Sequence, residues 1–152
     1  MSLYDTDFYA WANQQAALLR AGRLAEADIA RIAEEIDSMG RSEKRELVSR
    51  LTVLLLHLLK WQFQQGLRGS SWRLSIANAR DQIADHLDDN PSLIPKLPDA
   101  VASAYRYARR TAAVETGLAE SAFPPDCPWT PAQILDEGFW PGQGPSAEGT
   151  DP

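Results

Sequence analysis

The sequence predicts an all-α protein, an up-and-down helical bundle of four to five main helices with a short C-terminal helix packed on it. Three observations carry that expectation. Apolar residues recur at three- and four-residue spacing through most of the chain, and no stretch of useful length alternates apolar with polar. Glycines, prolines and capping residues interrupt the pattern at helical lengths. The 152 residues, 44% of them hydrophobic, are enough to bury one core without staples. The single cysteine, Cys127, excludes an internal disulfide framework and a Cys-rich zinc site.

Residues 6–21 read as a first helix, capped by Thr6 or Asp5, with Phe8, Trp11, Gln15, Leu18 and Leu19 at helical spacing and an end at Ala21-Gly22. A second helix runs from Leu24 or Asp28 to Met39. Its apolar stripe is Ile29, Ile32, Ile36 and Met39, and Gly40 is expected to stop it. The third helix, Ser42 to Gln65, gives the strongest pattern. Leu47, Leu51, Leu54, Leu58 and Trp61 form one stripe, and Val48, Leu55, Leu59 and Phe63 form a second beside it. At ~1.5 Å per residue it is roughly 36 Å long, against a radius of gyration of about 15 Å for a compact chain of this size. It is therefore expected to be a central rod, covered on nearly all sides.

Ser70 or Ser71 is expected to cap a fourth helix, Trp72 to Asp89, with Trp72, Ile76, Ala79, Ile83 and Leu87 inward and Asn90-Pro91 at its end. The segment 91–98 is a proline-punctuated connector. A fifth helix, Asp99 to Thr116, carries Val101, Tyr105, Ala108 and Ala112 and finishes at Gly117. Beyond Phe123 the prolines extend the chain. Thr130-Pro131-Ala132-Gln133 is a capping box with proline at the first helical position, starting a short helix through Glu137. Phe123, Trp129, Phe139 and Trp140 are expected to pin this segment to the bundle. Residues 1–141 then make a single helical domain, and 142–152, without an apolar anchor, a flexible tail.

Charge is unevenly placed. Residues 41–80 hold eight basic and two acidic side chains, whereas 1–40 and 81–152 are both acidic, for a net of -6. Segments of opposite sign that pack side by side would neutralise one another; a free basic face would suit an anionic partner. No apolar run approaches the ~18 residues of a membrane span. The acidic start, Met-Ser-Leu-Tyr-Asp-Thr-Asp, is unlike a signal peptide. The expectation is a soluble, cytoplasmic protein with no membrane.

Several motifs together resemble one family. They are Tyr4-Asp5-Thr6-Asp7-Phe8-Tyr9-Ala10-Trp11, Glu34-Glu35-Ile36-Asp37-Ser38-Met39-Gly40-Arg41-Ser42, Leu55-Leu56-His57-Leu58-Leu59-Lys60-Trp61-Gln62, and Ser71-Trp72-Arg73. The ending Phe123-Pro124, Cys127-Pro128-Trp129-Thr130, Ile134-Leu135-Asp136 and Phe139-Trp140-Pro141 completes the set. Over residues 3–141 the chain resembles the DUF29 family of bacterial proteins of unknown function. The resemblance implies a single helical domain and supplies no activity or catalytic residue.

Candidate sites follow from residue chemistry. His57 sits in the most apolar stretch and needs partners for both ring nitrogens, which a hydrogen bond meets more readily than a metal. The Glu-x-x-His pattern of di-metal bundles is absent, since Leu54 and Ile83 stand three before His57 and His86. Lys60, Trp61, Arg68, Trp72 and Arg73, with Arg80, cluster around the turn between the third and fourth helices. With His57 they make up the candidate binding residues, and basic residues among aromatics could hold single-stranded nucleic acid. The competing reading has the tryptophans plug the bundle while the arginines snorkel or pair. Glu34 and Asp37, and Asp81 and Asp85, each share a helix face and could hold Mg²⁺ for phosphoanhydride hydrolysis. No Ser/His/Asp signature or phosphate-cradling loop is present. The balance falls on a non-catalytic protein-interaction module without a cofactor. Its expected partner is another protein, with a homodimer among the options, rather than nucleic acid.

Overall fold

The computed structural model describes residues 2–142. The chain divides into two compact units, Met1–Ser42 and Glu43–Pro152. The expected tail lies, from residue 143 on, outside the described residues. Among the described residues there are six α-helices and no strand, so the all-α expectation holds.

The first unit contains α1 (Leu3–Thr6), α2 (Phe8–Arg20) and the beginning of α3 (Ile29–Phe63). Asp7, rather than Thr6 or Asp5, caps α2, its carboxylate accepting from the Ala10 N–H at 3.1 Å. Gly22 at φ +70° lets the chain reverse after α2. Trp11 and Gln15 are the buried residues of α2. The Tyr4 ring meets the Trp11 ring edge-on, centroids 4.8 Å apart. The rest of the contact is polar. Gln15 accepts from the Asp28 N–H at 2.7 Å, Tyr4 donates its hydroxyl to Glu35, and the Arg31 guanidinium lies over the Tyr4 ring.

Two expectations fail here for related reasons. The polar contacts occupy the face of α3 that carries Arg31 and Glu35, in line with Asp28 just before the helix and one residue round from Ile29, Ile32, Ile36 and Met39. The apolar stripe is consequently left outward, with Ile29 52%, Ile36 62% and Met39 67% exposed. Nor does Gly40 stop the helix. A glycine C-cap works through a positive φ, and Gly40 has none; α3 passes through it as one element of 35 residues. Glycine inside a helix costs only about 1 kcal/mol against alanine, which the favourable residues around it absorb.

In the second unit the remainder of α3 packs with α4 (Ser70–Asp89) and α5 (Leu97–Thr116), and α6 (Pro131–Leu135) closes on them. Leu47, Leu51, Leu54, Leu58 and Trp61 are buried, as are Leu55 and Leu59 of the second stripe. Each is worth roughly 1.5–3 kcal/mol of apolar burial. The rod is not covered on every side, however, since Val53 is half exposed and His57 partly so. From α4 come Ile76 and Ile83. From α5 come Ala100, Ala104, Ala108 and Ala112 at four-residue spacing, small enough to bring its backbone close to the leucines.

Connections explain the remaining boundaries. Neither Ser70 nor Ser71 caps α4; extended Gly69 precedes it and no side chain accepts there. A 3-10 segment, Pro91–Lys96, leads directly into α5, two residues earlier than expected. Gly117 at φ +74° ends α5 as predicted. The capping box is present in both halves: Thr130 Oγ1 accepts from the Gln133 N–H at 3.2 Å, and Gln133 Oε1 from the Thr130 N–H at 3.0 Å. The helix stops at Leu135 rather than Glu137, because Asp136 turns the chain and accepts from the Gly138 N–H. Phe123, Trp129 and Ile134 are buried in the core.

Nothing lies within 4 Å of where a Gly40 side chain would stand. Gly40→Ala should therefore stabilise the protein by about 0.5–1 kcal/mol in urea unfolding; a helix that broke at Gly40 through a positive φ would be weakened instead. The Tyr105 hydroxyl, donated to the Pro124 carbonyl at 2.6 Å, is pushed by burial up to about 12 from the ordinary 10.0. The unfolded chain releases that proton first, so this contribution to stability is intact below pH 10 and is lost as pH rises towards 12. Tyr105→Phe should flatten the alkaline fall in stability over that window.

Candidate functional site

The basic–aromatic residues do come together, as an interleaved stack. Arg68 lies over the Trp61 ring at 4.9 Å, and Arg73 lies over Trp61 at 4.9 Å and over Trp140 at 5.3 Å. Arg80 lies over Trp140 at 5.6 Å. The two indoles are in contact, centroids 4.7 Å apart. Lys60 pairs with Glu115 and faces the Trp72 ring. His57 stands apart from the stack, its Nδ1 2.8 Å from the carbonyl of Val53 on its own helix.

Hydrogen bonds commit the ends of this stack to the protein. Arg68 donates Nε to the Trp61 carbonyl at 2.6 Å. Arg80, a buried arginine, donates Nε to the Ile134 carbonyl at 2.9 Å and Nη2 to the Phe139 carbonyl at 2.8 Å. Burial lowers the Arg80 pKa, and the nearby Asp136 and Glu137 carboxylates oppose that shift. The guanidinium is thus a clamp on the C-terminal segment. Beside the stack, Trp61 Nε1, Gln62 Oε1 and Arg68 Nη2 are buried without a hydrogen-bond partner among the described residues. Gly142, at φ +86°, closes over this point: a Cβ there would stand 3.2 Å from Arg68 Nη2.

The acidic candidates behave differently. Glu34 and Asp37 lie exposed on α3 in the first unit, and Asp81 and Asp85 lie exposed on α4 in the second. Among the described residues neither pair belongs to a group of three possible metal ligands. The residues that do converge are Glu43, Glu46 and His86, whose ligand atoms all lie within 4.8 Å of one another. Glu43 and Glu46 are one turn apart on α3, and His86 reaches them from α4 with only 8% of its surface exposed. Sequence reasoning missed this group because it sought a Glu-x-x-His within one helix. The available signal was Glu43-x-x-Glu46 followed by Arg50 at the fourth residue, with a histidine in the inward face of α4.

A cavity of about 470 Å³ lies between α5 and the C-terminal segment, lined by Tyr105, Arg109, Asp126, Cys127 and Trp129 among others. Its chemistry is muted. Arg109 donates to the Phe123 carbonyl at 3.2 Å, and burial raises the pKa values of both Tyr105 and Cys127. A thiol held protonated is a poor nucleophile.

The model of the family described as "Domain of unknown function DUF29" matches residues 3–140, and the chain belongs to that family. No curated protein and no solved structure matches.

Removing the Arg80 guanidinium strands two carbonyls, each costing about 1–3 kcal/mol when left unpaired. Arg80→Leu should therefore lower the unfolding free energy by about 2–5 kcal/mol and expose Trp140, seen as a red shift in tryptophan emission. An unchanged urea midpoint would show that the clamp carries no weight.

Proposed function

We propose that this DUF29 chain is a non-catalytic helical interaction module that pairs with a second copy of itself through the outward face of α3 in the first unit. One observation carries the reading, the exposure of Ile29, Ile36 and Met39 in a stripe with half-buried Ile32 between them. Four apolar residues at three- and four-residue spacing form a seam of the kind that helix pairs bury. Exposed singly such residues need no explanation; in register they favour a partner.

The partner is taken to be a second copy because the helix is complementary to itself when reversed. Counted from Glu34, the stripe reads the same in both directions, with Ile32 and Ile36 two residues away and Ile29 and Met39 five. An antiparallel pairing about Glu34 sets Ile29 of each copy opposite Met39 of the other and Ile32 opposite Ile36, an isologous arrangement. Gly40, with open space where its side chain would be, lets the two backbones approach. Two other readings have less support. The arginines that would hold nucleic acid stack on indoles or bind carbonyls, and the acids that would hold Mg²⁺ for phosphohydrolysis lie on exposed helix faces.

Light scattering coupled to size exclusion tests the proposal. The protein should run as a dimer at high micromolar concentration, and Ile36→Glu with Met39→Glu should run as a monomer with unchanged helical circular dichroism. A wild-type protein that stays monomeric across the range overturns the reading.

A further inference from the structure

We propose that Glu43, Glu46 and His86 form a binding site for a first-row divalent cation of the zinc class. His86 Nε2 lies 2.8 Å from the backbone carbonyl of Glu43, and a carbonyl can only accept, so Nε2 carries a hydrogen. In the neutral ring the lone pair is then on Nδ1, which faces Glu46 Oε2 at 3.7 Å, beyond hydrogen-bonding distance. A lone pair and a carboxylate oxygen that face each other this closely, on a ring only 8% exposed, call for a hydrogen-bond donor or a cation between them.

The surroundings fit a metal. An imidazole that ligates through one nitrogen usually donates the other N–H to a carbonyl or carboxylate, which fixes its tautomer and orientation, and the Glu43 carbonyl does this. Glu46 is oriented in a similar way. Its Oε1 accepts from Arg50 Nε at 3.1 Å and Nη2 at 2.6 Å, leaving Oε2 for the site, and Arg50 is itself braced on Gln82 at 2.9 Å. The Glu43 carboxylate lies 3.7 Å from Nε2, at the other edge of the ring, and joins an ion on Nδ1 by a side-chain rotation that its half-exposed position leaves free. These groups line a polar cavity of about 410 Å³, to which Asp85 and Asp89 add two further carboxylates.

One imidazole nitrogen with two carboxylates is a donor set that zinc-class ions take and that magnesium, which favours oxygen and water, takes poorly. An ion bound here ties the start of the buried part of α3 to the last turns of α4. Its role is then structural or regulatory, consistent with a module that does no chemistry, although the site does not depend on self-pairing.

Isothermal titration of the metal-free protein with Zn²⁺ should show one ion per chain and a higher melting temperature, with magnesium binding far more weakly. Glu43→Gln and Glu46→Gln keep size and leave the half-exposed positions foldable; each should weaken binding by about tenfold or more. Cys127→Ser should leave binding unchanged. Proton–nitrogen spectra of the two histidines should show Zn²⁺ moving His86 Nδ1 and not His57. The proposal is overturned by the absence of saturable binding below millimolar Zn²⁺, by binding that survives Glu46→Gln, or by its loss in Cys127→Ser.

Discussion

The second unit depends on one constraint, the width of the apolar arc on α3 between Leu47 and Trp61. Two adjacent stripes of leucine cannot be covered by one neighbouring helix, because an arc that broad presents more than one face. α4 covers part of it with Ile76 and Ile83, and α5 covers part with its alanine column. The residue of the arc near Trp61 and Phe63 falls to the segment after α5. Phe123 meets Phe63 with ring centroids 5.0 Å apart, and Trp140 lies on Trp61. The C-terminal segment therefore completes the core.

That completion explains the fate of the positive charge. The basic stretch 41–80 commits part of its charge to the fold: Trp61 is core, Arg68, Arg73 and Arg80 lie on indoles, and Arg68 and Arg80 also bind carbonyls. A guanidinium can lie on an indole and still point its N–H groups at carbonyls in the ring plane's surroundings, which an ammonium cannot do as well. Arg80 uses this to hold the last turn of α6 and the irregular chain after it, where the Ile134 and Phe139 carbonyls have no helical partner. Extended, proline-rich backbone can be packed on a bundle only if such groups find partners.

The long-period features were legible in the sequence. The leucine stripes, the glycine that ends α5, the capping box of α6 and the aromatic anchors at Phe123 and Trp129 are all local patterns with one physical meaning. What was not legible depended on context. Gly40 reads as a stop because glycine can adopt a positive φ, yet nothing in the sequence says whether it does. The stripe at Ile29, Ile36 and Met39 reads as core because it has core spacing; only the Tyr4–Glu35 and Gln15–Asp28 bonds show that α1 and α2 chose the adjacent face. The Glu43–Glu46–His86 group was invisible for a third reason, since its members are 40 residues apart and are joined by helix packing rather than by motif.

The alanine column of α5 sets what natural variation the fold can accept. Ala100, Ala104, Ala108 and Ala112 bury almost no side chain of their own, and hydropathy ranks them below any leucine. Yet each marks a place where one helix backbone has moved close to another's side chains, and an added methyl has nowhere to go without separating them. Drift across relatives should therefore be more permissive at the large leucines, which can exchange with isoleucine or methionine of like volume, than at these small positions. The least conspicuous residues of the core are the ones with the least freedom to change.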